Sequence, residues 1–175
     1  AGLFCAAYSF SQDIGSWDVS NVLIMEGLFY QARQFNQNIS MWDVSNVVTM
    51  QDMFRDAWKF DQNIGIWDVS SVTNMVRMFA WADAFNHSIG TWNTSSVTDM
   101  GEMFMYADNF NQDLSNWNIS NVLDMRYMLY GSSFDYDNFN KLLVNWANLT
   151  YLQSGVEFNA GSAQYNPYTK VATAH

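Results

Sequence analysis

The 175 residues carry 17 acidic and seven basic side chains, a formal net charge of −10, and an aromatic share of 17%. Seven scattered basic residues cannot supply the cluster that displaces counterions from nucleic acid, and an anionic membrane surface is disfavoured for the same reason. A single cysteine, Cys5, excludes an internal disulfide, and no run approaches the roughly 20 apolar residues that span a bilayer.

From the N-terminus onward the chain repeats itself. Trp17, Trp42, Trp67, Trp92 and Trp117 are each 25 residues apart, as are Phe10, Phe35, Phe60, Phe85 and Phe110. Ser20 to Ser120, Val22 to Val122 and Met25 to Met125 keep the same interval. A fixed period of this size means one supersecondary unit that buries its apolar face only by stacking on its neighbours. The chain opens inside such a unit, since Gly2, Leu3, Phe4 and Ala7 align with Gly27, Leu28, Phe29 and Ala32, and so it reads as a fragment of a longer protein.

Within a copy, Phe10, Gln12 and Ile14 alternate with polar neighbours before Gly15, which predicts a short strand ending in a bend. A second extended stretch is expected over 19–25, with Val22 and Met25 inward. Met25, Leu28, Phe29 and Ala32 then fall at the spacing of one helical face. The expected fold is a repeat solenoid. It would have short parallel β-strands plus a short helical or 3₁₀ turn in each 25-residue coil, spanning residues 1–133 with copies starting at 10, 35, 60, 85 and 110. Past residue 134 the period is lost. Phe139, Leu142, Leu143 and Trp146 predict an amphipathic helix, and Val156 and Phe158 a final strand. Residues 134–166 are read as a C-terminal helix–strand cap, and 167–175 as a frayed tail.

Trp17-Asp18-Val19-Ser20-Asn21-Val22, then Met25, Leu28 and Phe29, then Phe35-Asn36-Gln37-Asn38-Ile39, resembles the lipoprotein-associated surface repeat of the BspA-like leucine-rich-repeat proteins. The resemblance covers roughly residues 1–134 and implies a leucine-rich-repeat-like solenoid on a secreted or cell-surface protein. It implies no single activity, because the family is named by its repeat rather than by a reaction.

Columns present in every copy read as structure. The Trp column fills the core or a groove. Asp18, Asp43 and Asp68 share a register with Asn93 and Asn118, so a turn-capping oxygen suits the column better than a Ca²⁺ ligand does. The Ser column would bond backbone between coils, and Gln12, Gln37, Gln62 and Gln112 would form an amide ladder in which His87 substitutes for an amide. Catalysis needs a base or metal set placed once, and no such set, phosphate loop or metal-ligand spacing is present. Glu26, Asp52, Asp99 and Glu102 read as solvated carboxylates. The expectation is therefore a protein that is not an enzyme and uses no cofactor or metal.

Variable positions with large side chains are the candidates for contact: Tyr30, Trp58, Trp81, Met105, Tyr106, Tyr127 and Tyr130, with a weaker ridge at Met41 and Ile66. Aromatics gathered on one face are what interaction hot spots use, while the alternative is lateral packing on neighbouring coils. N-x-S/T sequons stand at Asn38, Asn86, Asn93, Asn118 and Asn148. The function expected is adhesion or protein–protein recognition at an extracellular or cell surface, with a protein, matrix or cell-surface ligand as partner. The alternatives are an extracellular filament or layer assembled end to end from copies of itself, and carbohydrate binding by the aromatic ridge.

Overall fold

The structure, a computed structural model, describes residues 1–159. Successive 25-residue windings stack so that equivalent residues lie beside one another, as the ring contacts make plain. Phe29, Phe54, Phe79 and Phe104 form one ladder with centroids 5.5 Å apart. Phe35, Phe60, Phe85 and Phe110 form a second ladder, at 5.9–6.1 Å. Within each winding the two ladders touch at about 4 Å, for example 3.9 Å between Phe54 and Phe60. The Ile, Val and Met columns and Trp42, Trp67, Trp92 and Trp117 close the interior around them. Each of those four indoles donates from Nε1 to the backbone carbonyl of Ile14, Ile39, Ile64 or Ile89, at 3.0–3.3 Å.

The windings are not built from strands or helical turns. Among the described residues the only contacts of strand type are isolated parallel bridges, Ile24–Thr49, Thr49–Asn74, Asn74–Asp99, Asp99–Asp124 and Met125–Phe158, and one α-helix lies outside the repeats. The leucine-rich-repeat-like solenoid with strands and a helical turn per coil is therefore incorrect. Each winding is a chain of tight turns instead. In one copy the N–H groups of Trp67, Val72, Met53, Arg55, Ala57 and Phe60 each donate to the carbonyl three residues earlier.

The segment that mimicked a helical face shows why. The residues Met50, Met53, Phe54 and Ala57 do point inward. However, Asp52 and Asp56 have φ of 55° and 58°, at the third positions of two turns, the signature of type II geometry. The same two registers are left-handed at Arg77 and Trp81, and at Glu102 and Tyr106. Two left-handed residues per winding swing the intervening amides out of helical alignment. The N–H groups of Met50, Asp52, Phe54 and Asp56 consequently donate forward to the carbonyls of Asn74, Val76, Met78 and Ala80 in the next winding, at 2.9–3.0 Å. In a parallel β-ladder alternate residues would both donate to and accept from the same neighbour. Over 50–56 donors face one way along the stack and acceptors the other, whereas just before that segment Val48 donates back to the Leu23 carbonyl. Satisfying each buried amide offsets the roughly 1–3 kcal/mol of strain at a non-glycine left-handed residue.

The predicted extended segments fail for a related reason: they are broken by local turns, with the Val22 N–H returning to the Val19 carbonyl and the Ser20 N–H taken by a side chain. Asp18, Asp43, Asp68, Asn93 and Asn118 each accept the N–H of the serine two residues on, at 2.9–3.2 Å. This is the Asx turn expected of that column. The serine hydroxyls of Ser20, Ser45 and Ser95 turn back onto the same acceptors rather than bridging coils, so a serine ladder does not form. Asn46 and Asn121 make that bridge, to the carbonyls of Ser20 and Ser95. The amide column reaches back one winding, with Gln62 on Asn36 and Gln112 on Asn86, and His87 on the carbonyl of Asp61 takes an amide's place.

Helix α1, Tyr136–Ala147, closes the last winding. Asp135 caps it by accepting the N–H of Asn138, and Phe139, Leu142 and Trp146 are its buried face. The final strand of the predicted cap is reduced to the single bridge at Phe158. The rest of the predicted cap, 160–166, and the tail 167–175 with His175 lie outside the described residues.

Candidate interaction surface

Three neighbouring registers project side chains that differ from winding to winding. Reading one register along the stack gives Tyr8, Arg33, Trp58, Asp83 and Asp108. The guanidinium of Arg33 lies over the Tyr8 ring at 4.9 Å on one side and over Trp58 at 4.0 Å on the other. Two registers nearby repeat the arrangement, with Arg55 between Tyr30 and Trp81, 5.2 Å from each centroid. Each arginine is thus held between aromatic rings from the windings before and after it, a geometry favourable to a partly desolvated cation.

Beyond those two sandwiches the sequence of side chains changes. Trp81 and Tyr106 stack on each other at 5.6 Å, and Tyr106 meets Tyr130 edge-on at 5.5 Å. Tyr130 in turn meets Tyr127 edge-on at 5.8 Å. Gly131 occupies the left-handed register in the last winding, where a Cβ would overlap the Tyr106 ring, so this glycine gives the ring its seat. Asp56, Trp58, Trp81, Asp83, Tyr106 and Asp108 line one open cleft of about 320 Å³. Burial, and then the charges of Asp108 and Asp56, push the Asp83 carboxyl above the ordinary carboxylate range. Asp56 has Arg55 at 3.9 Å, whereas Asp83 and Asp108 have no cation within salt-bridge reach among the described residues.

The structure thus brings Trp58, Trp81 and Tyr106 into one cleft and continues it edge-on through Tyr130 and Tyr127. Tyr30 belongs to the Arg55 sandwich instead, and Met105 is half-buried beside Tyr106. Met41 and Ile66 are exposed on a different face, next to the buried Trp42 and Trp67. Sequence reasoning missed the arginines and the aspartates, although a vertical reading of the variable registers would have shown tyrosine, arginine and tryptophan followed by two aspartates. Asp52 also departs from expectation. Rather than being solvated, it accepts from Arg77 at 2.8 Å and 3.0 Å and from Arg55 at 3.4 Å. Burial opposes its ionisation, but these bonds and charges outweigh that and lower its pKa. Of the sequon asparagines, Asn38, Asn86, Asn93 and Asn118 use their amide oxygens to accept backbone N–H groups. Asn148 donates its amide nitrogen to the carbonyl of Val144.

The chain matches the family model described as "Mycoplasma protein of unknown function, DUF285" over residues 1–87 and again over 62–168. It belongs to that family. No curated protein and no solved structure matches it significantly. Membership of a repeat family agrees with the stacked windings, and no helix among the described residues is long and apolar enough to cross a membrane.

Proposed function

We propose that this chain is a non-catalytic recognition domain that binds a protein, matrix or cell-surface ligand through the lateral face carrying Trp58, Trp81 and Tyr106. One observation carries this reading. Large aromatic side chains stand partly exposed along one face, at registers the repeat fills elsewhere with Gln31 and Asp56 or with Asp83 and Asp108. Trp81 and Tyr106 sit at a left-handed register that every winding uses and that glycine suits better, so the backbone does not call for aromatic side chains there. The finer likeness to BspA-like surface repeats supports an extracellular or cell-surface setting.

The test replaces Trp58, Trp81 and Tyr106 together by alanine and measures binding to a panel of purified matrix and cell-surface proteins alongside the melting temperature. Binding should fall while the melting transition stays in place. Unchanged binding to every ligand of the unmodified domain would overturn the reading, and so would loss of the folded state, which would assign these rings to the core.

A further inference from the structure

The two arginine sandwiches show what the rings of this face accept when the chain supplies its own occupant: a guanidinium, seated between aromatics of adjacent windings. One winding further along, the pattern lacks its cation. Trp58 has Arg33 beside it on the N-terminal side, and on the C-terminal side the register continues with Asp83 and Asp108. These carboxylates occupy one register in successive windings, whose ring ladders are spaced 5.5–6.1 Å apart. Aromatic walls stand beside them at Trp81 and Tyr106, and the cleft is open to solvent.

Resting on the lateral-face reading above, we infer that this cleft receives a lysine or arginine side chain presented by an extended segment of a partner protein. The ammonium or guanidinium would take the place that a further arginine would hold in the ladder, against Trp58 and beside Trp81, with Asp83 and Asp108 as counter-ions. Three features favour a basic partner segment. The chain is strongly acidic, so a basic partner is steered toward it. The two carboxylates line one cleft and repel each other, and a shared cation relieves that repulsion; burial first, and then the charges of Asp108 and Asp56, disfavours the ionised form of Asp83. The cleft also runs along the stack across three windings, which suits a chain rather than a compact small molecule.

The experiment titrates the full chain with three fluorescent peptides of equal length on a Gly/Ser background, carrying three spaced lysines, arginines or glutamines, and with free spermidine. Binding is read by anisotropy and by the indole N–H signals in nitrogen-15 spectra. The lysine and arginine peptides should bind saturably, weaken as salt rises, and shift the indoles of Trp58 and Trp81 but not those of buried Trp67 and Trp92. Asp83→Asn with Asp108→Asn should weaken them at least ten-fold while the Trp67 and Trp92 signals stay in place, which verifies folding. Equal affinity for the glutamine peptide, with shifts at Trp58 and Trp81, would remove the cation while leaving lateral-face recognition standing. Unchanged affinity in the double variant, spermidine binding as tight as the peptides, or no shift at either indole would each overturn the inference. Lateral-face recognition itself stands or falls on the triple-alanine variant.

Discussion

The interior and the lateral face of this molecule are laddered by the same 25-residue period, yet they use it in opposite ways. Inside, the ladders of Phe and Trp repeat one residue type, so from one winding to the next the rings meet their own kind. Phe29, Phe54, Phe79 and Phe104 are all fully buried. On the lateral face the registers are held equally firmly, but the residue type changes at each step, from Tyr8 through Arg33 and Trp58 to Asp83 and Asp108. Identity down a column marks what the stack needs. Alternation down a column marks what the stack has positioned for something else.

Breaking the interior should have the largest effect. Phe79→Ala removes a ring in contact with Phe54, Phe85, Trp92 and Phe104 and should cost about 3–5 kcal/mol in denaturant unfolding. Tyr106→Ala, an aromatic lost from the lateral face, should cost under about 1 kcal/mol. Comparable losses would erase the distinction between the two regions. A smaller interior effect is expected from Trp67→Phe. It keeps most of the apolar bulk but leaves the Ile39 carbonyl without its donor, a loss of about 1–3 kcal/mol.

The lateral face should respond in function before stability. Trp81→Gly gives up the contacts with Arg55 and Tyr106 but relieves a left-handed tryptophan, so stability should change by less than about 1 kcal/mol while binding to the lysine peptide is lost. A collapse of the fold on this change would place Trp81 in the core.

The smallest effect separates the carboxylates by sign. Asp52, Asp68 and Asp124 have pKa values held below the usual carboxylate range. Their contribution is present above about pH 4, and it is lost as pH falls through their folded-state values. Asp83 is shifted upward, so its ionisation weakens the fold and stability recovers as it protonates. Asp83→Asn should therefore raise the melting temperature slightly at pH 7 and make no difference once the pH is well below 4. Urea unfolding across that range reads both effects. An Asn variant less stable than the parent at pH 7 would show that the Asp83 carboxylate has a partner within the chain.

How much of this the sequence disclosed follows from the same contrast. The inward columns, the turn-capping Asp/Asn register, His87 in the place of an amide and helix α1 were all legible, because each depends on side-chain chemistry recurring at a fixed interval. Backbone path was not. Met25, Leu28, Phe29 and Ala32 have the spacing of a helical face, and the left-handed residues that prevent a helix are Asp52, Arg77, Trp81 and Glu102 as readily as Gly27. Glycine would have announced the turns, whereas charged and aromatic residues in that conformation conceal them. The arginine sandwiches were hidden for another reason: their partners are separated by 25 or 26 residues and belong to columns that look random when read along the chain.

The forward donation of amides between windings supports everything else, since it fixes which side chains face in and which face out. Solution NMR of residues 50–57 tests it most directly. Asp52 and Asp56 should show strong intraresidue contacts between amide and α protons, as left-handed residues do, with protected amides at Met50, Asp52, Phe54 and Asp56 near the winding that begins at Phe60. An unbroken run of sequential amide–amide contacts across the segment, with α protons contacting amides three residues on, would mean a helical turn and would contradict the account.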